Sequence, residues 1–245
     1  MSENRPSLAT AFQQYFELVP ATDQALRDEV YRIRFQVYCQ DMRFEPAEAF
    51  PDGREFDQFD AQSRHCLLRH RPSDTFAGCV RLVLNRPGDP ASQLPFERHC
   101  QHSLDRERLD PNRLPRHKLA EVSRLAVLSR FRRRAGEAET PHGVSAEADA
   151  FSSDERRVFP HIALGLYLAA AAITFQEDIE TVVVMMEPRL ARHMRYFGIN
   201  FQPCGEVIDY HGPRGPFFID PHTLHRDLNP QVAQLLQMVV EKINL

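Results

Sequence analysis

The 245-residue sequence has no CxxC pair, no apolar run of membrane length, no excess of basic charge and no tryptophan. Its five cysteines, Cys39, Cys66, Cys79, Cys100 and Cys204, are odd in number and widely scattered. That pattern argues against a disulfide framework and suits reduced thiols packed in a core. The longest apolar stretch, 162–175, is shorter than the about 20 residues of a membrane span and fits a buried helix. Transient contact with a membrane surface stays open. A formal net charge of −4 argues against a general nucleic-acid binder, which concentrates basic charge on one face. Residues 1–10 lack a basic start followed by an apolar run, so the expectation is a cytoplasmic protein without a secretory signal.

What is present is an ordinary globular mixture, 42% hydrophobic and 26% charged, in a chain long enough to bury a large core as one domain over 1–245. Residues 23–38 carry Leu26, Val30, Ile33 and Val37 at helical spacing. Three strand-like runs follow at 64–69, 75–84 and 120–128, which suggest an antiparallel meander. Prolines and charges over 85–118 favour loops and short helices, and 129–157 is read as a second long insertion, much of it mobile. Beyond it the pattern predicts a helix over 159–177, a β-branched strand over 181–186 and a helix over 188–197 stopped by Gly198. Strand candidates at 206–210 and 216–219 and a final amphipathic helix over 230–243 complete an α/β layered sheet with helices on its faces.

Candidate chemistry begins on the first of these helices. Arg34 and Tyr38 lie one turn apart, Phe44 follows, and Glu55, Asp57 and Asp60 place three carboxylates within six residues. Arg81 interrupts an apolar strand, where an unpaired charge is costly and calls for a carboxylate. Glu121 and Ser123 alternate with apolar neighbours and share one strand face, with Arg124 next in the chain. Taken singly, these groups also fit a solvated acidic loop, a bracing ion-pair network or core packing of Tyr38 and Phe44. His99, Cys100 and His102 match no standard zinc spacing, so no metal site is read.

The joint order of these residues resembles the acyl-homoserine-lactone synthases and the long-chain N-acyl amino acid synthases of the GNAT acyltransferase superfamily. The pattern is an Arg and an aromatic four residues on (Arg34, Tyr38), a second aromatic (Phe44), and E-x-D-x-x-D (Glu55, Asp57, Asp60). Arg81-Leu82 and E-x-[ST]-R (Glu121, Ser123, Arg124) complete it over about residues 30–128. Within that group the chain resembles the acyltransferases that accompany bacterial PEP-CTERM/exosortase protein-sorting systems. The resemblance implies a GNAT-like, mostly antiparallel central sheet with helices on both faces. It also implies an acyl-phosphopantetheine thioester as donor, on acyl carrier protein or CoA, lying between two splayed strands, with no permanently bound cofactor. Lactone synthases usually carry Trp where this chain has Phe44, so an N-acyl amino acid product fits better than a homoserine lactone.

Such a reaction needs an in-line amine, a proton acceptor and donors for the oxyanion, but no enzyme nucleophile. Glu55 is the expected base. Asp57 and Asp60 are expected to hold the amine or orient Arg34, Arg81 and Arg124, with Glu121 as a further catalytic carboxylate. The run Arg130, Arg132, Arg133 and Arg134 stands where the superfamily places a phosphate-binding turn, and is read as the contact for phosphopantetheine or an acidic carrier protein. Open alternatives are a lactone synthase, an acyl-CoA-dependent acyltransferase of another amine, and a non-catalytic acyl-binding module.

Overall fold

β-branched and aliphatic runs bounded by turns build the core of a mixed sheet, in which all pairings but one among the described residues are antiparallel. A computed structural model describes residues 6–86, 88–89, 92–132, 158 and 161–243. From the N-terminus it contains α1 (Leu8–Tyr15), β1 (Phe16–Pro20) and α2 (Gln24–Arg34), the last capped by the Asp23 carboxylate accepting from Leu26 N at 2.9 Å. A π-helical turn, Phe35–Asp41, extends α2. The meander follows as β2 (Ser63–His70), β3 (Thr75–Val83) and β4 (Leu119–Val127), with a short helix α3 (Pro95–His99) in the connection between β3 and β4. Next come α4 (Ile162–Gln176), β5 (Thr181–Met186), α5 (Pro188–Met194), β6 (Gln202–Pro203), β7 (Ile208–Asp209) and β8 (Pro213–Ile219). Helices α6 (Leu224–Asp227) and α7 (Pro230–Ile243) close the described chain.

The strand order is β1-β2-β3-β4-β5-β8-β6, with β7 added to β8 as a hairpin. Both faces of the sheet are covered. His65 and Arg81, opposite each other on β2 and β3, face α2, where Tyr31 meets His65 edge-on. Gly78, opposite Leu68, faces the other way, and a Cβ there would lie 3.2 Å from Leu166 of α4 and 2.4 Å from the Ala126 carbonyl oxygen. Only glycine lets β3 approach β4 and α4 this closely. Helix α4 is the apolar stretch expected from the sequence, and it is buried along nearly its whole length against β2, β3, β4 and α7. No helix among the described residues is long and apolar enough to cross a membrane.

Two local departures from regular geometry shape the site. Strands β4 and β5 pair in parallel only from Leu119 opposite Thr181 to Val122 opposite Val184. Beyond that point β4 continues to Val127 and β5 to Met186 without pairing, so the sheet opens at its middle. On the other edge of β4, Cys79 pairs with Ala126 and Arg81 with Ser123, so Arg124 and Leu125 oppose the single residue Val80. This is a β-bulge, and Arg124 within it takes a left-handed backbone with φ 50°, sparsely populated for a non-glycine residue.

The meander, α4, β5 and α7 stand within a residue or a few of their expected bounds, while β8 begins three residues earlier than expected. Helix α1 and β1 have no counterpart in the sequence reading. Both are short, and their apolar residues Phe12, Phe16 and Leu18 signal burial without a period long enough to name the element. The expectation of a mobile segment over 129–157 lies, from residue 133 onward, outside the described residues.

Candidate active site

A cleft of about 920 Å³, open to solvent, follows the gap between β4 and β5. Its floor is Glu121, Val122 and Ser123 from β4, and Val184, Met185 and Met186 from β5. Glu45, Asp57 and Arg81 stand on one wall, Tyr167 of α4 lies behind the gap, and Tyr210, His211 and Arg214 come from the β7–β8 hairpin. Val122 and Tyr167 also line a small apolar cavity between the sheet and α4, with Leu168, Ala171 and Phe201 among its walls.

Beneath the cleft lies a buried charge network. Arg34, fully buried at the end of α2, donates through Nε to Glu55 and through Nη1 to Asp60 at 2.6 Å. Arg81 Nη1 reaches Asp57 at 2.7 Å and Asp60 at 2.9 Å, and its Nε donates to Ser123 Oγ at 3.1 Å. Arg124, re-aimed by the bulge, meets Glu45 at 3.1 Å and Glu55 at 3.2 Å and lies over the Tyr38 ring. Tyr38 in turn donates its hydroxyl to the Leu125 carbonyl at 2.9 Å, which ties the π-helical turn to the bulge. Three guanidinium groups thus face four carboxylates, an excess of one negative charge. The two more exposed carboxylates, Glu45 and Asp57, are the ones that line the cleft.

The environments of these acids differ sharply. Burial opposes ionisation of Glu55, Asp57 and Asp60, but neighbouring Arg34, Arg81 and Arg124 outweigh it and hold all three carboxyls below their ordinary values. Glu121 has no ion-pair partner among the described residues. Its Oε2 accepts a hydrogen bond from Phe96 N at 2.7 Å in the first turn of α3, and burial pushes its carboxyl up to about 8. An acid that titrates near neutral pH and lines a cleft is the pattern of a proton-transferring group. All five cysteines are buried, and burial raises each of their thiols above the usual range, so none offers a ready thiolate.

Residues 33–140 match the family described as Acetyltransferase (GNAT) domain. That match covers less than half of the 245-residue chain. Among solved structures, the AHL synthase LasI is 18% identical, with a TM-score of 0.56 over 84% of this chain and 90% of its own. BjaI, a CoA-dependent acyl-homoserine lactone synthase solved with SAM and isopentyl-CoA, is 16% identical, with a TM-score of 0.58 over 94% and 90%. FeeM, an N-acyl amino acid synthase from uncultured soil microbes, is 15% identical, with a TM-score of 0.53 over 87% and 94%. At these identities the likeness is one of fold. No curated protein matches the sequence.

The fold brings together ten of the residues anticipated from sequence: Arg34, Tyr38, Phe44, Glu55, Asp57, Asp60, Arg81, Glu121, Ser123 and Arg124. Two of the expected roles need correction. Glu55 is 1% exposed and shared between Arg34 and Arg124, so its basicity is spent on two guanidinium groups and it is a poor proton acceptor. Arg132 is no surface contact for a carrier: it is 2% exposed and paired with Asp41 of the π-helical turn. Arg130 stays half-exposed, with its guanidinium over the Phe131 ring, and Arg133 and Arg134 lie outside the described residues.

Several cleft residues escaped the sequence reading. Glu45 lies in an acidic loop with no motif around it. His99, weighed there only as a metal ligand, stands at the cleft with its ring 4.4 Å from that of Tyr210. His211 and Gly212, with φ 55° and 92°, close the hairpin between β7 and β8. The turn-forming glycine was the only signal that Tyr210, His211 and Arg214 would be carried to the site.

Proposed function

We propose that the protein is an N-acyltransferase that moves a long-chain acyl group from an acyl carrier protein thioester to the α-amine of an amino acid by direct amine attack. The observation that carries this reading is Glu121, a buried carboxyl without a cationic partner among the described residues, titrating near 8 at the edge of a cleft that opens between two central strands. The acceptor arrives as an ammonium ion and meets Glu45 and Asp57 on the acidic wall. Ionised Glu121 takes one proton from it, directly or through a water. The freed amine then forms the N–C bond at the thioester carbon; the nitrogen gives up a second proton, which ends on the departing thiol as the C–S bond breaks, while Glu121 releases the first to solvent and returns to its ionised form. Past Val122 the β5 edge of β4 has no paired strand, and a backbone N–H on that edge suits the oxyanion. The acyl chain continues past Val122 and Tyr167 into the apolar cavity behind the sheet. With the cysteines buried and their thiols raised, direct transfer is simpler than a covalent acyl-enzyme.

The test is incubation of the purified protein with long-chain acyl carrier protein and, separately, acyl-CoA, against each common amino acid, with products read by mass spectrometry. An acyl amino acid formed from the carrier-bound donor supports the reading. Acylated homoserine lactone alone, formed with S-adenosylmethionine, or no acylated amine with either donor, overturns it.

A further inference from the structure

The cleft carries three guanidinium groups, and two of them are already neutralised: Arg81 by Asp57 and Asp60, Arg124 by Glu45 and Glu55. Arg214 of β8 is the third. It lines the same cleft and makes no ion pair among the described residues. Its guanidinium lies over the Phe44 ring, whose centroid is 5.4 Å from the guanidinium carbon. Phe44 is held in turn by His211, stacked on it at 4.7 Å and 21°. That sandwich holds the stem and face of Arg214 in place, while the planar edge that makes paired hydrogen bonds to a carboxylate has no described acceptor. The histidines beside it do not compete. Burial, reinforced by Arg214 and Arg124, lowers the His211 pKa, and burial with Arg124 and Arg98 lowers that of His99, so both favour the neutral ring.

We propose that Arg214 binds the carboxylate of the acceptor, so that the cleft reads an α-amino acid at both ends: its amine on the acidic side formed by Glu45, Asp57 and Glu121, its carboxylate on the hairpin arginine. This rests on the proposed acyl transfer and specifies its acceptor as a zwitterion, excluding simple amines and polyamines. A polycation would place a second positive charge against Arg214. The chemical division of the cleft follows from the fold. The π-helical turn and the β2–β4 meander bring the carboxylates, whereas the β7–β8 hairpin, joined to the opposite side of the gap through β5, brings the free cation.

Equilibrium binding of N-dodecanoylglycine and of its carboxamide, read by calorimetry, separates this site from turnover, because glycine has no side chain and the two ligands differ only in the charged end. The parent is expected to bind the acid roughly ten- to a hundredfold more tightly than the amide, the range of a charge-assisted hydrogen bond. Arg214→Met, which keeps the length that packs on Phe44, should bind the two alike and leave amide binding unchanged, and Arg214→Lys should recover part of the preference. Equal binding of acid and amide by the parent, or an unchanged preference in Arg214→Met, overturns the assignment. So does a variant whose loss falls on acyl-CoA and acyl-pantetheine phosphate instead, since Arg214 would then hold the donor's phosphate. A parent that keeps the acid preference yet acylates no amine refutes the proposed transfer and leaves the carboxylate site standing.

Discussion

Replacing Glu121 with Gln keeps the size of the side chain and an oxygen to accept from Phe96 N, and removes only the ability to exchange a proton. With its carboxyl at about 8, the parent has roughly a tenth of this group ionised at pH 7 and most of it ionised at pH 9. The ratio of parent to variant kcat/KM should therefore rise about tenfold over that interval and then level off. Taking the ratio cancels the titration of the amine itself, which both proteins share. General-base assistance accounts for about 10²–10⁴-fold in rate, so the variant should retain at most about a hundredth of parental activity on the plateau. Stability supplies an independent readout. The native carboxyl keeps its proton up to about pH 8, while the unfolded one releases it near 4.5. Between those values the native state binds more protons, so this group's contribution to stability is complete below 4.5 and is lost as pH rises through 8. The full displacement corresponds to roughly 4–5 kcal/mol, or on the order of 10 °C in Tm for a chain of this size. The melting temperature of Glu121→Gln should gain on the parent by an amount approaching that as pH goes from 5 to 9, as followed by thermal unfolding. Parallel melting curves across this range, with a pH-independent activity ratio, would refute the assignment of Glu121 as a buried base.

Glu55→Gln should act on the fold: it strips a buried counter-charge shared by Arg34 and Arg124, at a cost of about 3–5 kcal/mol, and a variant that melts with the parent in a thermal scan would contradict the network. Arg132→Met should likewise lower Tm by leaving Asp41 unpaired, whereas Arg130→Glu should leave Tm unchanged, weaken use of acyl carrier protein and spare a small pantetheine thioester. Equal losses with both donors for Arg130→Glu would remove it from the carrier surface. Ala171→Phe, on the wall of the apolar cavity, should shift acyl preference toward shorter chains in donor competition assays, and an unchanged product profile would place the acyl chain elsewhere.

The strands of the meander, the long apolar helix and the terminal helix were legible in the sequence because each carries a local period, and the residues of the E-x-D-x-x-D and E-x-[ST]-R elements because their order along the chain is itself the signal. What each group does was decided only in three dimensions. Glu55 and Glu121 are indistinguishable as letters, but the fold sets the first between two arginines, one of them 69 residues away, and the second in an apolar wall with a single amide donor. Opposite shifts in their acidity follow, and with them an exchange of the expected base. Arg132 reads as part of a solvated basic run until the turn after β4 folds it inward onto Asp41. Arg214, an unremarkable residue in a Gly- and Pro-rich turn, becomes the one cleft cation without an acidic partner among the described residues, because β8 crosses back beside β5 and carries its hairpin to the gap. Charge partners, burial and the space between β4 and β5 are properties of contacts between distant segments, and no local spacing encodes them.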